Sequence, residues 1–396
     1  MLSFCCLLTY SNSFRRIPGL NTPPDALKIA AFPLIVSFQL DFLCFYLTIE
    51  WPMNSIPPLR LDPIDSHVHV VGNGKNGSGC WLKLKGKHAI LARFMVAQLG
   101  LAQSSLSEDL ETLYVARLLE LLRASSLKKA IILAHDQVYL ANGSLMEGAG
   151  SFYVPNDFVL ELARTNDEFL PAVSIHPARA DAIAELERCA QLGAVMMKCL
   201  PNCHNIDCSD RRYTSFWEKM AELNIPLLAH TGGENTVPVI NPEYSNPRIL
   251  TRPLECGVKV IAAHCGTRSG LRDPDYFDVF ASMIPKFPNL FGDNSAFNLP
   301  MRCKPVPTCL REPIASRIIH GSDFPVPVSG RWARLRGLIS QDDFKKSKDI
   351  VNVIERDFFL KKAMGFSGDT FTRVHELLPP KKSGSFLGQV TKNKIK

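Results

Sequence analysis

From residue 53 onward, short apolar runs that end on polar, Gly or Pro residues recur eight times along the chain. They are 61–70 (LDPIDSHVHV), 129–135 (KAIILAH), 170–176 (LPAVSIH), 194–198 (AVMMK), 225–230 (IPLLAH), 258–264 (VKVIAAH), 289–295 (NLFGDNS) and 317–323 (RIIHGSD); the seventh has the weakest pattern. Near-continuous apolar strands are those buried on both faces, as in parallel sheets. Helical periods lie between them. The clearest runs over 106–122, with Leu110, Leu113, Ala116, Leu118 and Leu121 near helical spacing, and 181–192, 213–223 and 349–364 read the same way. Eight strands alternating with helices predict an α/β fold, a (β/α)8 TIM barrel. A doubly wound open sheet is the alternative. Residues 71–104 read as an insertion after the first strand, and Gly72, Gly74, Gly77 and Gly79 suggest a mobile loop near the site.

Composition leaves this picture intact. The chain has 396 residues, 46% of them hydrophobic and 21% charged, as in an ordinary globular enzyme. The formal charge is +7, but the tail 379–396 holds five lysines and no acid, and residues 1–51 are balanced, so residues 52–378 carry +2. No broad nucleic-acid surface is implied. Twelve cysteines without a small-scaffold spacing point to free thiols in a cytoplasmic protein. Cys199, Cys203, His204 and Cys208 cluster in sequence, yet lack Cys-x2-Cys spacing and a second pair, so they read as a loop and not a structural zinc site.

Three domains follow: an N-terminal extension over 1–52, a barrel over 53–378 and a basic tail over 379–396. Residues 29–51 are strongly apolar but interrupted by Pro33 and Asp41. A start at Met53 fits best. A membrane anchor and a packed extension remain open, and only the anchor would bring a membrane partner.

The chemistry gathers at strand ends. In His67-Val68-His69 the two imidazoles share one face of a strand and can hold one ion. Active sites of such barrels lie at the C-terminal ends of the strands, where Lys198, His230, His264 and Asp323 also fall. His67, His69, His230 and Asp323 would supply three neutral nitrogens and a carboxylate oxygen, with a position left for water, as in a catalytic site. The ion is expected to be zinc, with manganese or iron as alternatives, in one or two copies. Asp323 could accept the proton of an attacking water, and His264 could bind a second ion or assist proton transfer. Lys198 could be carbamylated and bridge two metals, hold an anionic substrate as a cation, or form an ordinary salt bridge. His135, His176 and His320 flank strands but are not expected as ligands, and His320 is out of phase with Asp323.

The motifs IDSHVH, MMKCLPN, LLAHTGG, IAAHCG and IIHGSDFP, in this order over 61–330, resemble the amidohydrolase superfamily. The similarity is to the branch that includes aminocarboxymuconate-semialdehyde decarboxylase and many metal-dependent hydrolases. It implies His67, His69, His230 and Asp323 as ligands and His264 as a catalytic residue or second-metal ligand. It leaves Lys198 open, since only binuclear members carbamylate a strand-four lysine. The loop holding His204 departs from the pattern.

The leading expectation is a metal-dependent hydrolase that turns activated water on a C–N or C–O bond of a small polar substrate. A metal-dependent non-oxidative decarboxylase of an aromatic or unsaturated carboxylic acid is the alternative, and an arginine in the pocket would favour it. A non-catalytic barrel binding protein is the third reading. The partner expected is a small-molecule substrate, with a homodimer an open possibility.

Overall fold

The computed structural model describes residues 61–83 and 86–380. The extension 1–52, the start at Met53, the apolar stretch 29–51 and the tail lysines lie outside the described residues.

Eight strands pair in chain order, each parallel to the next: β1 (Ile64–His69), β2 (Lys129–Leu133), β3 (Phe169–Val173), β4 (Met196–Cys199), β5 (Leu227–His230), β6 (Val260–Ala263), β7 (Leu290–Asp293) and β8 (Ile318–Ile319). The first and last strands then meet. The Ser66 N–H donates to the His320 carbonyl at 3.1 Å, the Asp323 N–H to the His67 carbonyl at 2.9 Å, and the His69 N–H to the Phe324 carbonyl at 2.9 Å. An open sheet would leave both edges unpaired, so the closed (β/α)8 barrel replaces the doubly wound alternative.

The eight apolar runs read as continuous because each strand buries both faces. Ile131, Leu133, Met196, Leu228, Ile261 and Ile319 point into the barrel and pack there as one cluster. Their neighbours Ala130, Ile132, Met197, Ala229, Ala262 and Ile318 point outward against the helices. Val374 and Leu377 join the inner cluster from the C-terminal segment.

The helices are α1 (Gly86–Gln98), α2 (Leu110–Arg123), α3 (Asn156–Thr165), α4 (Ala182–Gln191), α5 (Thr214–Glu222), α6 (Phe277–Met283), α7 (Gln341–Asp349) and α8 (Val353–Ala363), with shorter turns between. Caps decide where they begin. The expected helix from 106 starts at Leu110 because Asp109 accepts the Thr112 N–H at 3.1 Å. The one expected from 349 starts at Val353, where the Asn352 side chain accepts the N–H groups of Ile354 and Glu355. Residues 71–104 are more than the glycine loop expected from their sequence. They carry α1 and a two-residue strand, Trp81–Leu82, that pairs antiparallel with Phe152–Tyr153. The α1 segment has apolar residues on all sides, so no helical period marked it.

A buried ion pair ties α8 to the exit of β8. Lys361 Nζ donates to Asp357 Oδ2 at 2.6 Å and to the Gly321 carbonyl at 2.5 Å, and neither side chain touches solvent. No helix among the described residues is long and apolar enough to cross a membrane.

Candidate metal centre and active-site cleft

Strand alternation carries two of the expected residues to the barrel mouth, and local breaks in regular strand geometry carry the others. Lys198 follows Met196 by two positions and His230 follows Leu228 by two, so both point into the barrel mouth. In β1 the register with β2 shifts between Asp65 and Val68, and this irregularity turns His67 and His69 inward although Ile64 is also inward. His264 follows the inward Ala263 and in regular phase would face the helices. Its left-handed backbone, φ 60°, interrupts that phase. Asp323 is likewise left-handed, φ 65°. Strain of this kind at non-glycine residues persists only where surrounding contacts over-determine it. Gly321 lets β8 approach β1 here, because a Cβ at that position would sit 2.7 Å from the His67 Cβ.

The donor atoms converge. His67 Nε2 lies 3.2 Å from His69 Nε2 and 3.3 Å from Asp323 Oδ1, and His69 Nε2 lies 3.4 Å from the same oxygen. Two ligands about 2.05 Å from a tetrahedral ion are about 3.3 Å apart, so this triangle has the edge length of one face of a zinc-like coordination sphere. A second triple shares two of its members: His67, His264 and Asp323 place donor atoms within 4.8 Å of one another. His264 Nε2 is 3.9 Å from Asp323 Oδ2. His230 adjoins His264 with ring centroids 5.0 Å apart. Its buried Nε2 has no hydrogen-bond partner and faces Glu234 Oε2 at 3.6 Å. Lys198 Nζ sits 3.0 Å from His67 Nε2. The residues therefore fit a divalent ion.

Asp293, at the end of the weak seventh strand, organises the cluster, and sequence reasoning did not single it out. Its Oδ2 accepts from His67 Nδ1 at 2.8 Å, and its Oδ1 accepts from the backbone N–H of His264 at 2.7 Å and from the Ser295 hydroxyl. A carboxylate on one ring nitrogen leaves the other as the lone-pair donor, the usual support of a metal-binding histidine. His264 Nδ1 is held the same way by the Ser295 hydroxyl, at 2.7 Å. The signal in the sequence was the acid closing LFGD at the C-terminal end of a strand.

Protonation states suit ligation. Burial, then Lys198, pushes His67 down to about 4, and burial likewise lowers His230 to about 4 and His264 well below its ordinary value. All three rings are neutral near pH 7. Burial would raise the carboxyls of Asp293 and Asp323, but the neighbouring histidines overcome it and hold both below the usual carboxylate range. Burial also lowers the Lys198 ammonium.

The other histidines are elsewhere. His135 and His204 face each other, Nε2 to Nε2 at 3.1 Å, and His176 Nε2 donates to the His204 carbonyl at 3.1 Å. His320 points outward against Phe371 and Phe358. Among the described residues, Cys199, Cys203, His204 and Cys208 are not in the group of side chains that could hold an ion.

A cleft of about 140 Å3 opens beside the cluster, reached by His69, His230, His264 and Asp323. Its remaining walls come mainly from α1, from the start of α2 and from the loops after β5 and β8. Arg302 is buried next to this region. Its Nη2 donates to the Gly233 carbonyl at 2.8 Å and its Nη1 to the Thr267 carbonyl and hydroxyl at 3.2 Å, while Nε lacks a partner.

A protein-family model described as Amidohydrolase matches residues 135–350. No curated protein matches the chain. Among solved structures, an uncharacterised TIM-barrel protein of Bordetella bronchiseptica is 18% identical with a TM-score of 0.48, covering 76% of this chain and 99% of its own. A probable 2-pyrone-4,6-dicarboxylic acid hydrolase of Acinetobacter baumannii, with citric acid bound, is 16% identical with a TM-score of 0.46, covering 77% and 100%. A 2,6-dihydroxybenzoate decarboxylase of Rhizobium is 13% identical with a TM-score of 0.42, covering 76% and 99%.

Proposed function

The chain belongs to the amidohydrolase family, and from that premise we propose that it is a metal-dependent hydrolase cleaving a C–N or C–O bond of a small molecule. The observation that carries the reading is the triangle of His67 Nε2, His69 Nε2 and Asp323 Oδ1, with edges of 3.2 to 3.4 Å at the mouth of a substrate-sized cleft. In this reading His67, His69, His230 and Asp323 hold the ion. Zinc is the ion proposed, on the edge length and the nitrogen–oxygen donor set. Bound there, a divalent ion supplies Lewis acidity, polarising a carbonyl and lowering the pKa of water toward about 7.

The chain's own groups do the rest. Asp323, kept ionised, takes the proton of the attacking water and returns it to the leaving group. His264, fixed by Ser295, turns Nε2 toward the same space and assists that transfer. Asp293 holds the His67 ring and the His264 backbone in place. Lys198 is the candidate for carbamylation: its amine adds to carbon dioxide and loses a proton, giving a carboxylate that could bridge a second ion. The nine described cysteines are free thiols, which supports a reducing, cytoplasmic setting.

Non-oxidative decarboxylation is the second reading. An arginine facing the substrate would favour it, and Arg302 is the arginine nearest to that description. Both its terminal nitrogens already serve backbone carbonyls, and it is not among the described residues that line the cleft. Hydrolysis is accordingly the better-supported chemistry.

The test is metal content by elemental mass spectrometry, followed by a screen of esters, lactones and amides with the loaded protein. Metal-dependent hydrolysis lost in His67→Ala supports the reading. A chain that takes up neither zinc nor manganese refutes it.

A further inference from the structure

Besides the imidazoles and Asp323, the cleft is walled by Met95, Val96 and Leu99 of the α1 region, Leu110, Val237 and Val326. These walls come from four separate segments, so the apolar character belongs to the cleft and is not the inner face of a single helix. Phe152 and Tyr114 add aromatic surface. Polar groups in the described lining are Glu234 and Thr236 near the proposed metal ligands, the buried Ser151 and the exposed Lys83. Glu234 is itself engaged: its Oε1 accepts the Val237 N–H at 3.0 Å and the Thr236 backbone and hydroxyl. Apolar surface of this kind lowers the free energy of a ligand only if the ligand brings apolar area to bury.

We propose that this cleft is an apolar subsite, and that the substrates are esters, lactones or amides carrying a hydrocarbon body of up to about six carbons beside the scissile group. The proposal rests on the hydrolase reading for its reaction, but not for its binding. The size follows from the volume: an apolar cavity of about 150 Å3 accommodates benzene, and this cleft measures about 140 Å3. The insertion 71–104 thus gains a role, since α1 supplies one wall of the subsite.

The test separates binding from chemistry. Straight-chain hydroxamic acids, from two carbons to eight, are titrated calorimetrically into the protein, once metal-loaded and once after chelation. Each buried methylene should tighten binding about fourfold, in both forms, up to about six carbons, after which the gain should stop. Met95→Trp and Val237→Trp, entering from two separate wall segments, should each end the rise at a shorter chain. A flat series overturns the proposal. So does a rise that continues through eight carbons, which would be partition onto surface apolar groups. If the ladder stands while no ester, lactone or amide is hydrolysed, the subsite holds and the hydrolase reading falls.

Discussion

Replacing Asp293 by Asn isolates the group that orients the proposed metal ligands without touching the ion itself. The native carboxylate accepts on both oxygens: Oδ2 from His67 Nδ1 at 2.8 Å, Oδ1 from the His264 N–H at 2.7 Å, from the Ser295 N–H at 3.2 Å and from its hydroxyl. An amide offers one acceptor and one donor group. If its NH2 turned toward His264 and Ser295, it would meet two backbone donors, so the amide oxygen must stay there. The NH2 then faces His67 Nδ1, which has to accept. The His67 proton moves to Nε2, and the lone pair aimed at His69 and Asp323 is lost. Supporting carboxylates of this kind are worth about 10- to 100-fold in metal affinity, or about 1.4 to 2.7 kcal/mol. The assay is competition for zinc against a chromophoric chelator, with circular dichroism to establish that the variant is folded. A folded Asp293→Asn protein within about twofold of wild-type affinity would refute the tautomer argument, because the geometry allows no neutral alternative.

Other expectations follow from the same contacts. Asp323→Asn should lower turnover of a confirmed substrate by about 10²- to 10⁴-fold while leaving the fold intact; initial rates near wild type would reject its role. Lys198→Ala should reduce bound metal from two ions to one if the lysine bridges, and unchanged stoichiometry by mass spectrometry would mean that it does not. Lys361→Met leaves the Asp357 carboxylate buried beside Asn298 and should cost about 3–5 kcal/mol, read by urea unfolding; a loss below about 1 kcal/mol would show that solvent reaches the pair. Burial holds His176 down to about 4 and His204 to about 3. The unfolded chain takes up protons near the ordinary histidine value of 6.5 and the folded chain does not, so stability is fully present above that value and falls as pH drops toward 4. His176→Gln should flatten part of that fall in melting temperature between pH 7 and 4, and an unchanged slope would assign it to other groups.

Much of this protein was legible in its sequence because strand and helix periods are local. The eight apolar runs set the strands, and alternation by two placed His67 with His69 and set Lys198 and His230 at strand ends. The same alternation put His320 out of phase with Asp323, and its ring indeed packs outward against Phe371. Asp109 and Asn352 moved two helix starts by a few residues, a cap being a hydrogen bond that apolar periodicity does not register. What only the tertiary structure decided depends on contacts far apart in the chain. Closure of β8 onto β1 rests on Gly321 passing His67. The inward turn of His264 needs a left-handed residue that breaks the strand's own phase. Asp293 matters because it spans His67 and His264, 226 and 29 residues away. The α1 wall was hidden for the opposite reason. A helix apolar on every side carries no period, and its function as a wall exists only once the barrel mouth lies beneath it.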